Sequence, residues 1–251
     1  MYKARLKTCR VSIVLTVDQQ QSRRGPDLVD GALERLSQYP ATRSFERTAG
    51  DEFQGVFDDH LSAVDAILDL VRDGHWSIGV GIGEVELPLP ASTRAGRGPA
   101  FVLAREAVDA AKRAPQHVAV RATDVEAGAE VQAVLHLLAA LMRARTPQAW
   151  QAIDLVEPGR PQAQVAAKLG VSRQAVGQRL AAAHWREEQA ARPVLCRLLA
   201  RADRTSAAVP PAAVPPDAIL ADAVPPGVVL ADAAPPDGAP PGGTRAAQVT
   251  A

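Results

Sequence analysis

Residues 46–55 read ERTAGDEFQG, and residues 14–23 read VLTVDQQQSR. In the first, two strand-like runs (44–48 and 53–57) flank Gly50-Asp51, the pattern of a β-hairpin. In the second, a β-branched apolar run ends on a carboxylate, Asp18. A hairpin turn needs only residues tolerant of positive φ, so acids at two strand tips leave two readings. Aspartate is an ordinary turn and capping residue. Alternatively, carboxylates at neighbouring strand ends hold a hard divalent cation, which takes oxygen ligands and keeps several waters. On that second reading Asp18 and Asp51 are the metal ligands and Mg2+ is the cofactor. The ligand is then a nucleoside triphosphate whose charge the ion neutralises. The loop at 19–22 supplies backbone amides and Ser22, and Arg23 adds positive charge.

The elements around these tips fix the fold. Residues 11–17 (VSIVLTV) read as a buried strand. Residues 27–39 place Leu28, Ala32 and Leu36 at helical spacing, with Pro26-Asp27 as the start signal. Residues 59–72 put Leu61, Val64, Ile67, Leu68 and Val71 on one helical face, closed by Gly74. A strand follows at 75–86, a helix at 99–112 and a last strand at 117–121. The order is β-α-β-β-α-β with further elements after it. This is an α+β chain whose residues 1–122 form a ferredoxin-like domain with the split βαβ arrangement. That arrangement sets the hairpin tip beside the end of the first strand. In the fourth strand, HWSIGVGIGEVE, Gly79, Gly81 and Gly83 share one face, which lets a helix or a ligand approach the backbone. Helix packing is the simpler account, because a dinucleotide fingerprint would need a helix directly after it. The loop at 92–99 (STRAGRGP) is basic. Arg94, Arg97 and Arg105 either reach a phosphate or are solvated charges, and Arg97 joins Ser22 and Arg23 as a phosphate-binding candidate.

Residues 123–203 read as helical. Residues 125–145 carry Val131, Leu135, Leu138, Leu141 and Met142 along one stripe, either a dimer seam or ordinary core. Residues 159–186 read GRPQAQVAAKLGVSRQAVGQRLAAAHWR. Val165 and Ala166 face inward, Gly170 permits a left-handed turn, Ser172 caps the next helix, and Val176 and Leu180 return to the core. Those offsets make a helix-turn-helix over 161–186. Its second helix exposes Arg173, Gln174, Gln178 and Arg179; arginine pairs with guanine and glutamine with adenine in the major groove. Residues 158–186 hold Arg160, Lys168, Arg173, Arg179 and Arg186 and no acid, a basic patch that fits DNA as partner. The alternative is a packing or dimerisation unit. A lone unit binds DNA weakly, so a homodimer on two half-sites is expected.

Lys+Arg and Asp+Glu both number 28, so net charge points to no partner class. Cys9 and Cys196 lack CxxC or His-pair context, so neither a disulfide framework nor a zinc site is indicated. The basic-then-apolar N-terminus has no cleavage site, and apolar runs fall short of a bilayer, so a cytoplasmic protein away from membranes is expected. In the tail (204–251) units such as PPDAILADAV and PPGVVLADAA recur, and a segment so rich in Pro-Pro is expected to be disordered.

Four ordered motifs carry a resemblance: Asp18 with Ser22-Arg23, TAGDEFQG at 48–55, IGVGIGEVE at 78–86 and GRGPAFVLAREA at 96–107. Together they resemble the SatD family of bacterial proteins over about residues 10–200. The first three also resemble, more remotely, the palm of class III nucleotidyl cyclases and GGDEF diguanylate cyclases. There, aspartates at the first strand end and in the hairpin bind two magnesium ions, which implies the same role for Asp18 and Asp51. Ala49 replaces the first glycine of the diguanylate signature and Gln54 follows Phe53, and base-selecting and transition-state pairs are not apparent. The sequence therefore supports a DNA-binding regulator whose palm-like domain binds a metal–nucleotide. A magnesium-dependent nucleotidyl-transferring or nucleotide-hydrolysing enzyme is the alternative.

Overall fold

The computed structural model describes residues 9–22, 25–156 and 161–206. The basic N-terminus, Arg23, Arg160 and the repeat tail from 207 lie outside the described residues. The order is β1 (Cys9–Gln19), α1 (Val29–Leu36), β2 (Arg43–Ala49), β3 (Glu52–Phe57), α2 (His60–Asp73), β4 (Trp76–Glu86), α3 (Pro99–Ala111) and β5 (Val118–Ala122). The helices α4 (Val125–Arg143), α5 (Pro147–Ile153), α6 (Gln162–Leu169), α7 (Arg173–Ala182) and α8 (Trp185–Ser206) follow. The chain is a mixed α+β protein.

The five strands form one sheet in the order β2-β3-β1-β4-β5. The pairs β2–β3, β3–β1 and β1–β4 are antiparallel, and β5 adds parallel to β4. Alternation along the strands sends Ile13, Leu15, Val17, Phe53, Phe57, Ile78, Val80 and Ile82 to one face, where α2, α4 and α8 close the main core. The opposite face carries Val14, Val56 and Val85 beneath α3. There two of the three glycines of β4, Gly79 and Gly81, prove to be helix seats, while a Cβ on Gly83 would first meet Thr123 Oγ1 at 2.8 Å. A Cβ on Gly79 would lie 2.3 Å from the Val108 nitrogen, and one on Gly81 2.2 Å from the Ala100 carbonyl oxygen. The backbone of α3 occupies the space a ligand would need.

Several sequence expectations shift. Strand β1 starts before residue 11 and runs past residue 17 to Gln19, with Asp18 its penultimate residue. Helix α1 begins at Val29, whose amide is held by the Asp27 carboxylate at 3.0 Å, and Leu61 of α2 is 56% exposed. The stripe on α4 is no free seam: Val131, Leu135, Leu138 and Met142 are buried against β5 and α8. By length and apolar composition α4 could cross a membrane, contrary to the expectation from the apolar runs, but in the fold it is a core helix. Helices α4 and α8 thus belong to the sheet's core, and only α5–α7 gather a separate one, built on Ala149, Ile153, Val165, Val176 and Leu180. A boundary at residue 122 does not separate two cores.

One connection braces the sheet. After β4 the chain crosses to β2, where Arg43 donates to the carbonyls of Pro90 (2.6 Å) and Leu89 (2.8 Å). Ser92 Oγ and the Thr93 amide both donate to Glu46, and Thr93 Oγ1 donates to the Ser44 carbonyl at 2.8 Å.

Candidate functional site

Register brings the acidic tips together. Asp18 of β1 stands opposite Glu52 of β3 on one side and Ser77 of β4 on the other. The hairpin turns at Gly50, whose φ is +59°, and the Gln19 amide donates to the Asp51 carbonyl at 3.2 Å, fixing the tip beside β1. Helix α3 runs over the glycine face and presents Arg105 and, at its C-terminus, Lys112. Seven residues are nearly two turns, so both point the same way. Arg105 lies 2.7 Å from Glu52 Oε1, which also accepts from Thr48 Oγ1 at 2.7 Å. Lys112 Nζ lies 2.9 Å from Asp18 Oδ2. Partial burial works against the Lys112 charge, but the hydrogen bond and charge of Asp18, with Asp109 and Glu52 nearby, outweigh it and raise its pKa above the ordinary lysine value.

Asp18, Ser22, Asp51, Ser77, Lys112 and His117 line one cleft of about 660 Å³ at this end of the sheet. The glutamines after Asp18 partly build its wall: Gln19 Nε2 donates to the Pro26 carbonyl (2.7 Å) and Gln20 Nε2 to that of Trp76 (2.6 Å). Gln21 turns through a positive φ of 56°. His117 contributes a ring whose Nδ1 is buried without a hydrogen bond among the described residues. Burial, then the charge of Arg143, depresses its pKa. Among the described residues no three or more His, Cys, Asp or Glu side chains gather as a metal cage.

The residues expected here divide. Asp18, Asp51 and Ser22 share the cleft, and Arg23 lies outside the described residues. Arg97 is elsewhere: its carbonyl accepts from the Glu86 amide at 2.8 Å, and Glu86 pairs with Cys9 at the far end of β1. Nine residues of strand, about 30 Å, separate that end from Asp18. Sequence reasoning missed Lys112, Ser77 and His117. The one available signal was Lys112, seven residues after Arg105 and so on the same helical face.

The second candidate surface is α7. Ser172 caps it, accepting from the Ala175 amide at 3.1 Å, and Gly170 ends α6 in the left-handed region at φ 64°. Arg173, Gln174 and Gln178 are exposed and Arg179 half-buried, while Val176 and Leu180 are buried on the other side. Among the described residues, none of Lys168, Arg173, Arg179 and Arg186 is paired with an acid. Helix α5 backs this face, and a charged, aromatic junction fixes it to the rest. Arg145 NH1 lies 2.6 Å from Glu188 Oε2, with both side chains 1% exposed. The guanidinium stands 4.7 Å from the Trp150 ring centroid, and Arg72 of α2 stands 4.5 Å from it. Arg192 then links Glu188 (2.8 Å) to Asp65 of α2 (2.6 Å).

No family model matches this chain, and no curated protein does. Among solved structures, one described as a bacterial light-regulated adenylyl cyclase is similar at 16% identity over 45% of this chain and 43% of that one, with a TM-score of 0.35. The aligned part spans less than half of that structure, and the likeness is remote.

Proposed function

We propose that the chain is a DNA-binding regulator whose α7 reads the major groove. The observation that carries this is the outer face of α7. Arg173, Gln174 and Gln178 stand exposed with Arg179 beside them, no acid pairs with either arginine among the described residues, and the helix rests on its own small core. Unpaired guanidiniums keep their full attraction for phosphate, and exposed Arg and Gln match the donor–acceptor edges of guanine and adenine. The turn from α6 through Gly170 to the Ser172 cap supports a helix-turn-helix, and two copies on two half-sites would supply the contacts that one lacks.

The test is fluorescence anisotropy with a labelled random-sequence duplex pool at roughly 50 and 200 mM salt. Wild-type protein should bind at low salt and weaken steeply at high salt. Arg173→Ala/Arg179→Ala should lose at least about tenfold in affinity and flatten the salt slope by about two. Absence of binding at low salt sinks the reading.

A second reading concerns the cleft, and the shared lining by Asp18 and Asp51 favours it. It takes the sheet as a ferredoxin-like palm, which the antiparallel order β2-β3-β1-β4 supports, and keeps the SatD resemblance of the sequence as a proposal. Magnesium usually takes one or two carboxylates and completes its shell with waters and phosphate oxygens. Asp51, which has no ion pair among the described residues, and Asp18 suit an ion that arrives on a nucleotide better than a bare one. Such an ion would supply charge neutralisation; the chain's residues would orient the phosphates through Ser22 and Lys112. Incubation with each nucleoside triphosphate plus Mg2+ or Mn2+ separates sensor from enzyme. Turnover that Asp51→Asn abolishes establishes an enzyme; binding without turnover establishes a sensor.

A further inference from the structure

Resting on the nucleotide reading of the cleft, we propose that Lys112 is a placeholder cation. It holds Asp18 until a metal–nucleoside triphosphate arrives, then yields the carboxylate to the metal and moves onto the phosphates.

Three observations carry this. First, Lys112 Nζ stands 2.9 Å from Asp18 Oδ2. An ammonium so placed repels a divalent ion that must itself approach a carboxylate oxygen to about 2.1 Å. Lysine and metal therefore compete for Asp18. Second, Lys112 can leave. Its side chain is 40% exposed, it extends from the last turn of α3 on a flexible stem, and Asp109 lies only 3.7 Å from its nitrogen as a second resting place. The neighbouring pair behaves differently. Glu52 is 11% exposed and held by both Arg105 and Thr48, so it stays neutralised and out of the exchange. Third, the move gives each charge an opposite neighbour. The lining offers Asp18 and Asp51 against Lys112, a net negative site that favours a cation over a bare phosphate anion. A metal–triphosphate brings a divalent ion for the acids and surplus negative charge for the ammonium they release.

The arrangement predicts opposite effects from one substitution. The full chain is titrated with Mn2+ by electron paramagnetic resonance, alone and as Mn2+·ATP, in wild type, Lys112→Met and Lys112→Arg. Lys112→Met should bind Mn2+ alone roughly two- to fivefold more tightly, the upper range of one partly exposed ion pair. It should bind Mn2+·ATP roughly tenfold more weakly, having lost a charged contact to phosphate. Lys112→Arg keeps the charge and should follow wild type in both titrations. Unchanged or weaker Mn2+ binding by Lys112→Met overturns the proposal, as does unchanged Mn2+·ATP binding. If wild type binds Mn2+·ATP and loses it in Asp51→Asn, while Lys112→Met changes nothing, the placeholder alone is refuted. Failure of wild type to bind Mn2+·ATP refutes both the placeholder and the nucleotide reading. A urea midpoint shared by all three proteins shows that the differences come from the cleft rather than from unfolding.

Discussion

At Gly81 a single missing carbon decides where α3 lies. An added Cβ would stand 2.2 Å from the Ala100 carbonyl oxygen and 2.4 Å from the Ala104 nitrogen, and backbone cannot swing aside as a flexible side chain does. Gly81→Ala should destabilise the fold by about 3 kcal/mol or more, at the upper end of overpacking effects, read as a drop in urea midpoint. Because α3 carries Lys112, the same substitution would displace the cleft's cation. Residue patterns disclosed this seat in part: glycines at every second position mark a close approach but do not name the approaching element. Asp18 and Asp51 were legible as acids at strand tips. The cation on Asp18 was not, since its partner sits 94 positions later and only the packing of α3 on the glycine face joins them.

Elements with strong local punctuation are the ones the sequence discloses. Helix α2 begins where Asp59 accepts from the Ser62 amide at 2.7 Å and ends at Gly74, φ 80°. Helix α1 has no side-chain cap at Leu28, so its start could be read only loosely. The Asp59 cap makes a pH prediction. The Ser62 hydroxyl, then its amide, hold the Asp59 carboxyl below the ordinary aspartate value. A depressed folded pKa gives stability that is present above the unfolded value near 4 and lost as pH falls through the folded one. Asp59→Asn keeps the acceptor without the charge and should flatten that acid limb in thermal melts. Asp59→Ala should lose about 1 kcal/mol already at neutral pH. Helix α4 shows the opposite limit: its apolar stripe had two explanations, and only the positions of β5 and α8 select between them.

For the whole molecule, the arrangement turns on the junction at Arg145. Its pair with Glu188 is almost wholly buried, and Trp150 receives Arg145 and Arg72. Arg145→Met would remove the more buried of the two cations on Glu188 and leave Arg192 alone to hold its charge, a loss of about 3 kcal/mol, at the low end for breaking a buried pair on one side. Arg145→Met/Glu188→Leu should recover much of that loss in chemical denaturation. None of this was visible in the sequence: Arg145 reads as the basic end of an apolar helix, and Glu188 as one acid among several on another. The grouping of the late helices was equally hidden. Two late helices return to the sheet, while three between them keep their own core.

The crossing after β4 has a consequence for life in a crowded solution. An outermost strand offers unsatisfied peptide groups to which a neighbouring copy can anneal, the first step toward open-ended ribbons. Here the connection from Leu89 to Thr93 ties that margin inward, engaging Arg43, the Ser44 carbonyl and Glu46. The same handful of bonds that keeps β2 from peeling away also blunts the border along which such growth would begin.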